Sequence, residues 1–319
     1  MSSMDGMDGA RQAGPAPRQG EGAPGVDPRE RAILRTVTYA ALFQFPLALP
    51  QLHRRLMDVS LDLPSLRRLL DRPFLRSRIA ITEGLVHPRG REEWLFLRQE
   101  RRERTAHLLG RHRRLLEILA RVPFVRLVGL SGACAHWNAT DDDVDVFLMV
   151  RRGRAWGVTA AIMIASKLLG VRRTLCVNYV LDEDAAALPE RDVVTASEIV
   201  GMRPLAGREG YRRFVAANDW VGRFFPNFYA AHLEESADVP EVAPGRWLEA
   251  LLDLGPAPLL EALSRRVLGS WLRRLGDAPG VVLSDRRLKL HRRDHRPRLT
   301  EAFAAALRES GDERMGSWA

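Results

Sequence analysis

Two aspartates, Asp143 and Asp145, flank Val144 where an apolar run begins. Alternate residues of a strand point to the same face, so the pattern predicts two carboxylates on one side, about 7 Å apart. Carboxylates so placed repel each other and are costly to keep ionised without a cation between them. Hard oxygen ligands on a short strand suit Mg²⁺ or Mn²⁺, which keeps waters and phosphate oxygens in its other positions. We therefore predict a metal site with both aspartates as ligands.

A second polar feature precedes this pair. The apolar run 124–130 ends at Ser131-Gly132, directly before a short helical stretch. Backbone N–H groups and a hydroxyl at such a turn can hold a phosphate, and glycine lets the backbone approach it closely. We predict that Ser131 and Gly132 bind the triphosphate of a nucleotide. With metals at the aspartates, the parts suit an in-line displacement at the α-phosphate, with pyrophosphate leaving.

The order of these features is typical of one superfamily. The segment LSGACAHWNATDDDVDVFLMV, then a helix, then LCVNYVLDED resembles the DNA polymerase β-type nucleotidyltransferases over residues 124–185. That resemblance implies Mg²⁺-dependent transfer of a nucleoside monophosphate from an NTP to a hydroxyl acceptor. The turn in the family is usually Gly-Ser, whereas here it is Ser-Gly. An isolated Asp-x-Asp also occurs in calcium loops, in glycosyltransferases and in acidic turns, so the surrounding pattern carries the comparison.

The resemblance also implies a third acidic residue on a later strand. The best-placed polar residue of the run 174–181 is Asn178. An amide oxygen can coordinate a metal but cannot act as a base, and Asp182 is the alternative at the end of that run. Weak, base-independent or lost activity therefore all remain open. We expect Cys134 and His136, in the spacer between turn and aspartates, to be packing residues rather than ligands.

The pattern around these residues predicts an α+β fold with a small mixed sheet. Residues 1–27 are rich in Gly, Pro and Ala and predict a disordered tail. The other predicted regions are a winged-helix-like domain (28–98), a linker helix (99–122), a nucleotidyltransferase core (123–235) and a helical C-terminal region (236–319). From Val193 onward the periodicity is helical to the end.

The winged-helix prediction is based on three helical segments followed by a hairpin. The hairpin is predicted from the β runs 79–82 and 84–87, a turn at 88–91 and an aromatic β run at 94–97. Such a module binds nucleic acid or serves as a packing unit, and the sequence does not choose between the two. The basic residues predicted to touch nucleic acid are Arg67, Arg68, Arg72, Arg89 and Arg91.

The net charge of +9 favours a polyanionic partner such as a nucleotide, tRNA or DNA, although a solvated basic surface explains it equally well. The run 289–296 is strongly basic and either touches phosphates or connects helices. The apolar stretch 155–171 is interrupted by Ser166 and Lys167, so we expect a buried helix and no membrane span. Two cysteines, with no secretory signal, predict a reducing, cytoplasmic setting.

Two functions from different classes follow. The first is a nucleotidyltransferase in which Asp143 and Asp145 bind metal, Ser131 and Gly132 bind the triphosphate, and Asn178 fills the third position. The second is a winged-helix regulator of nucleic acid whose nucleotide-binding domain is catalytically degenerate.

Overall fold

The computed structural model describes residues 26–242, 245–274, 280–290 and 294–310. The predicted tail over 1–27 therefore lies outside the described residues, apart from its last two positions. Within the described ranges the chain is an α+β protein, in which helices surround a three-stranded sheet and a six-stranded sheet. None of the helices in these ranges is long and apolar enough to cross a lipid bilayer.

Residues 28–88 form an N-terminal module of short helices and strands. Each helix has a proline in its first turn, where a missing N–H costs no hydrogen bond. Asp27 and Asp62 cap two of these helices by accepting hydrogen bonds from backbone N–H groups. The apolar sides of the elements close over a common core. The elements are α1 (Pro28–Ala41), β1 (Leu47–Ala48), α2 (Leu49–Arg54), α3 (Leu63–Leu70), α4 (Pro73–Arg76), β2 (Ile79–Thr82) and β3 (Leu85–Pro88).

The predicted hairpin is wrong in its turn at 88–91 and in its second strand at 94–97, although the β runs predicted at 79–82 and 84–87 do form strands. β2 instead pairs antiparallel with β3 across a tight turn at Glu83-Gly84, and β1 pairs with the other edge of β3. Both turn residues have positive φ, 53° and 76°, which matches the twist of a two-residue hairpin. The aromatic run belongs to α5 (Glu93–Leu119), so the long helix begins inside the region 28–98.

The second sheet is larger and contains strands from both halves of the chain. Its strands are β4 (Val125–Leu130), β5 (Val144–Val150), β6 (Leu175–Asp182), β7 (Arg203–Ala206), β8 (Val281–Leu283) and β9 (Arg287–Leu290). The order is β7-β4-β5-β6-β9-β8, with β5 and β6 parallel and the other neighbours antiparallel. The sheet is therefore mixed, as the sequence predicts.

Helices cover both faces of this central sheet. They are α6 (Gly132–Ala135), α7 (Ala155–Leu168), α8 (Val193–Gly201), α9 (Arg208–Ala216), α10 (Val221–Phe224), α11 (Pro226–Glu235), α12 (Arg246–Leu254), α13 (Ala257–Arg274) and α14 (Arg296–Glu309), with a 3₁₀ turn at Glu183–Ala185. The parallel pair β5 and β6 is joined through α7, because parallel neighbours need a crossover connection.

The prediction of an all-helical chain from Val193 onward is wrong in three places. β7 pairs with β4, β9 pairs with β6, and β8 extends the sheet beyond β9. Strands of three or four residues are too short for their alternation to stand out from a helical pattern. The basic run begins within β9, so it is no simple connector between helices, and its positions 291–293 lie outside the described residues.

The two faces of the central sheet carry different cores. One face, which we call the acidic face, carries Asp145, Phe147 and Met149 and packs against α1, α8, α9, α11 and α14. The opposite, aliphatic face carries Val146 and Leu148 and packs against α5, α7 and the start of α13. Alternation along β5 therefore places Asp145 among the large aromatic residues of the first core.

The N-terminal module is attached to the core by polar contacts. Asn227 of α11 accepts a hydrogen bond from the Ser60 hydroxyl (2.9 Å) and donates to the His53 carbonyl (2.9 Å). Arg54 pairs with Glu235 at 2.7 Å. These contacts place the end of α2 beside α6 and α8, close to the predicted site.

Candidate functional site

Four of the five residues predicted for the site lie in, or directly after, three neighbouring strands. Ser131 and Gly132 directly follow β4, Asp145 is the second residue of β5, and Asn178 lies in β6. β4 and β5 are antiparallel with Leu130 opposite Val146, so the end of one meets the beginning of the other. The Ser131 N–H donates to the Asp145 carbonyl at 3.0 Å. The fold thus brings the turn, the carboxylate and the amide to one end of the sheet.

Gly132 is required by its closeness to Asp145. Its φ is +60°, and a Cβ placed on it would lie 2.3 Å from Oδ2 of Asp145. A side chain at this position would collide with the carboxylate as well as strain the backbone. The backbone of Gly132, predicted to lie against a phosphate, therefore lies directly against the Asp145 carboxylate. Ser131 caps α6 in an extended conformation, and its hydroxyl makes no capping hydrogen bond.

Asn178 reaches Asp145 because β6 contains an irregularity. Val177 lies opposite Val146, but Tyr179 lies opposite Phe147, so Asn178 is an extra residue on its strand. Such a bulge redirects a side chain. The Asn178 amide Nδ2 donates a hydrogen bond to Oδ1 of Asp145. The residue predicted to replace a third carboxylate thus contacts the first pair as a hydrogen-bond donor.

Asp143 differs from the sequence prediction in its setting. It lies immediately before β5 rather than within it, so the two aspartates do not share one regular strand. Its N–H donates to the Asp141 carboxylate at 3.4 Å, and its carbonyl accepts a bond from Sγ of Cys134 at 3.2 Å. Both Asp143 and Asp145 are half-buried. Cys134 itself is buried in the core of the aliphatic face, as a packing residue is.

The acidic end of the sheet carries excess negative charge. Burial raises the pKa of Asp145 to about 6, the Asn178 hydrogen bond opposes this, and the charges of Asp141 and Asp143 add to it. Burial, followed by the neighbouring aspartates, also raises the pKa of Asp143. Cys176, opposite Asp145 across the strands, has its pKa raised to about 11 by burial and by the same carboxylates. A cation beside these carboxylates would lower the pKa values of Asp143, Asp145 and Cys176.

The donor set fits a hard divalent cation that keeps part of its own hydration. Two carboxylates and an amide are oxygen-bearing groups of the kind that Mg²⁺ and Mn²⁺ accept. Among the described residues no three His, Cys, Asp or Glu side chains form a metal-binding group. If Asp143 and Asp145 held such an ion, waters or a substrate phosphate would fill its other coordination positions.

Comparison with known proteins gives no family assignment. No family model, no characterised protein and no solved structure matches this chain. The function is therefore argued from the site itself.

Two basic residues near the site were not predicted as part of it. Lys289 lies opposite Tyr179 in the β6–β9 pairing, and its neighbour Leu288 is buried in the aliphatic face, so Lys289 is on the acidic face. Its positive charge acts on Glu198 of α8, whose pKa burial raises. The second residue, Arg55, contacts His136 at the end of α6. Lys289 belongs to the basic run that the sequence did flag, whereas nothing local signals Arg55.

The basic residues predicted for nucleic-acid binding lie in different settings. Arg67 and Arg68 are exposed on α3. Arg72 pairs with Asp27 at 3.0 Å, so part of its charge is neutralised. Arg89 and Arg91 follow β3 instead of forming the tip of the hairpin, because that tip is the turn at Glu83-Gly84. The wing predicted at 88–91 is therefore wrong in position. The hairpin turn carries the acidic Glu83 instead of an arginine.

A cavity of about 510 Å³ lies elsewhere, between α7, α13 and the β8–β9 turn. Its lining includes Trp156, Arg265 and Ser284. Trp156 follows the carboxyl end of β5, whereas Asp145 is at the amino end. The cavity is therefore separate from the acidic site, by which we mean the site around Asp143 and Asp145.

Proposed function

We propose that this chain is a metal-dependent nucleotidyltransferase that moves a nucleoside monophosphate from an NTP to a hydroxyl acceptor. The observation that carries the proposal is the convergence of Gly132, Asp145 and Asn178 at one end of the central sheet, with Asp143 adjacent. Negative charge collects there, and among the described residues neither Asp143 nor Asp145 forms a salt bridge, which favours binding of a divalent metal that can also hold a triphosphate.

The roles of the residues follow from their positions. Asp143 and Asp145 would hold Mg²⁺ or Mn²⁺, which would supply Lewis-acid stabilisation of the entering hydroxyl and the leaving pyrophosphate. Ser131 offers a hydroxyl that is not used to cap α6, and the exposed Gly132 backbone lies directly beside the carboxylate. In this proposal both groups contact the triphosphate. Lys289, on the same face of the sheet, adds positive charge for the phosphates.

Asn178 has a different role from a third carboxylate. Its amide donates to Asp145, which favours the ionised carboxylate and fixes its orientation. Asn178 carries no charge and cannot remove a proton from the acceptor. The acceptor hydroxyl must therefore lose its proton to solvent or to a group on the substrate, so we expect turnover to rise with pH as that proton is released more easily.

The test is turnover with each labelled NTP in the presence of Mg²⁺ or Mn²⁺. Pyrophosphate release and label transfer to RNA, protein or small acceptors are measured together. We expect the Asp143→Ala/Asp145→Ala double variant to lose at least about 10³-fold in rate, equivalent to about 4 kcal/mol. Asp142→Ala is the matched control, because Asp142 belongs to the same acidic run but is exposed and lies 3.8 Å from Arg104. Equal turnover by the double variant and the wild type would overturn the proposal.

A further inference from the structure

Arg55 is the residue directly after α2, at the junction between the N-terminal module and the core. One guanidinium nitrogen lies 2.6 Å from Nδ1 of His136, and the guanidinium carbon lies 6.0 Å from the centroid of the Phe45 ring. No carboxylate of the described residues forms an ion pair with it. A guanidinium carries five N–H donors, so most of its hydrogen-bonding capacity has no protein acceptor in the described structure.

The neighbouring arginines are in a different situation. Arg54 pairs with Glu235 at 2.7 Å and donates to the Val200 carbonyl at 2.6 Å. Arg98 donates to the Pro46 carbonyl and, at 2.9 Å, to Oε1 of Gln51, and its guanidinium lies 4.5 Å from the Phe45 ring. Each of these arginines therefore has two acceptors on other residues, whereas Arg55 has one. Among the described residues no carboxylate forms an ion pair with Arg98, and its charge adds to the positive potential at Arg55.

The electrostatics of the junction agree with these contacts. Burial lowers the pKa of Arg55 to about 10, and the positive charge of Arg54 acts in the same direction. Burial, together with Arg55, lowers the pKa of His136 far below its usual range. His136 is therefore neutral at pH 7, and its Nδ1 accepts the bond from Arg55 while contributing no negative charge. Holding an unneutralised cation in such surroundings is costly unless an anion binds there.

The contact between Arg55 and His136 lies close to Ser131-Gly132, the turn proposed to bind phosphate. His136 directly follows α6, which begins at Gly132, so about 6 Å along the helix axis separates the two. One side of the His136 ring is closed by α8, since a Cβ on Gly201 would lie 2.1 Å from Cε1 of the ring. Arg55 and His136 each keep part of their surface accessible to solvent.

We propose that Arg55, supported by the charge of Arg98, binds a phosphate group of a substrate at the acidic site. A guanidinium fork matches phosphate oxygens in a bidentate geometry. The group comes either from the polyphosphate tail of the NTP or from a phosphorylated acceptor. The inference deepens the proposed function and rests on it, and it gives the N-terminal module a part in substrate binding.

Phosphate binding is tested without turnover. Wild-type protein in EDTA is titrated with inorganic phosphate and with pyrophosphate, at ionic strength held constant with chloride, and the shift in Tm is followed. We expect saturable stabilisation, at least about tenfold weaker in Arg55→Gln. Arg67→Gln, which removes an exposed arginine of α3, is the matched control and should bind like the wild type. Absence of phosphate-specific stabilisation, or equal binding by Arg55→Gln, would overturn the proposal.

The stability of the variants, measured without phosphate, distinguishes a phosphate-binding role of Arg55 from a purely structural contact with His136. If Arg55 serves as an anion site, Arg55→Gln without phosphate is at least as stable as the wild type, because an unpaired cation is removed. If Arg55 only braces His136, the variant melts at a lower temperature and phosphate has no effect, which overturns the proposal. Arg55→Lys keeps the charge but loses the fork, so its affinity for phosphate should be intermediate.

Two further comparisons keep the two proposals distinguishable. Asp145→Asn should abolish turnover yet bind phosphate as the wild type does. If no NTP is turned over but Arg55→Gln still loses phosphate, the nucleotidyltransferase proposal fails and the anion site stands. Competition identifies the source of the phosphate: displacement by NTP assigns Arg55 to the nucleotide, and simultaneous binding of NTP and phosphate assigns it to the acceptor.

Discussion

Two carboxylates near opposite ends of the central sheet, the buried Glu249 and the half-buried Asp145, lie in very different surroundings. Glu249 of α12 accepts hydrogen bonds from the Phe124 N–H (2.7 Å) and from both ends of the Arg126 guanidinium (2.9 and 2.7 Å). These bonds and the charge of Arg126 outweigh burial and lower its pKa. Asp145, in contrast, has the Asn178 amide as its side-chain partner and other aspartates as neighbours, and its pKa is raised.

The difference separates a structural carboxylate from one available for chemistry. Glu249 satisfies a backbone donor and a cation, so it ties α12 to the start of β4 and leaves little capacity for anything else. Asp145 is held in position by Gly132 and Asn178 but is not neutralised. A group kept in an unfavourable charge state at an accessible position is a candidate for ligand binding, and this contrast supports the proposed function.

The largest expected effect is on stability. Glu249→Ala leaves the half-buried Arg126 and the Phe124 N–H without their acceptor, so we expect it to lower the free energy of unfolding by about 3 kcal/mol. Asp145→Ala should leave the free energy of unfolding unchanged or raise it, because an unneutralised charge is lost. Urea unfolding at neutral pH measures both variants. Comparable destabilisation by the two would remove the distinction between the carboxylates.

The pH dependence should have opposite signs at the two positions. The pKa of Asp145 is about 6 in the folded chain against an ordinary value of 3.8, so the folded state keeps its proton longer. Its contribution to stability is present at low pH and is lost as pH rises from about 4 to about 6. Glu249 has a lowered pKa, so its contribution is present above its ordinary pKa and is lost as pH falls.

Two conservative variants measure these contributions. Asp145→Asn should remove the fall in stability between pH 4 and 6, and so be more stable than the wild type at pH 7 by about 2 kcal/mol. Glu249→Gln should lose stability mainly above pH 5. Addition of Mg²⁺ should stabilise the wild type more strongly at pH 7 than at pH 5, and Asp145→Asn should not respond. Identical profiles of stability against pH for the wild type and Asp145→Asn would show that folding does not raise the pKa of Asp145.

The site was more predictable than the fold around it, for a physical reason. The strand carrying Asp145 is a largely buried, apolar run of seven residues that follows three aspartates, and the strand carrying Asn178 is a partly buried run of eight residues that ends at Asp182. Such runs can be recognised as strands from the sequence alone. The Asp145 carboxylate, the Ser131-Gly132 turn and the Asn178 amide then lie at one end of the sheet, because their strands are neighbours. The bulge that aims Asn178 at Asp145 depends on the register with β5 and has no local pattern.

Other features depended on contacts distant in sequence. The aromatic run Trp94–Leu97 suits a strand as well as a helix, and its place in α5 is decided by the helix that continues to Leu119. β7 and β9 are strands because they complete the edges of β4 and β6. Arg55 meets His136 across 81 positions of the chain, a separation that no local pattern can reveal.

Gly132 offers the finest test of how Asp145 is held. An alanine there would carry a Cβ 2.3 Å from Oδ2 of Asp145, at a φ of +60°. We expect Gly132→Ala to cost about 1–2 kcal/mol in stability from the backbone conformation alone. It should also displace the carboxylate, so metal affinity and turnover fall together, by about tenfold for each 1.4 kcal/mol of lost binding. Gly84→Ala is the matched control, because Gly84 has a similar φ of +76° with no atom within 4 Å of the added Cβ. It should show the backbone cost and keep metal binding. If both variants bind Mg²⁺ like the wild type, the contact between Gly132 and Asp145 does not position the metal ligand.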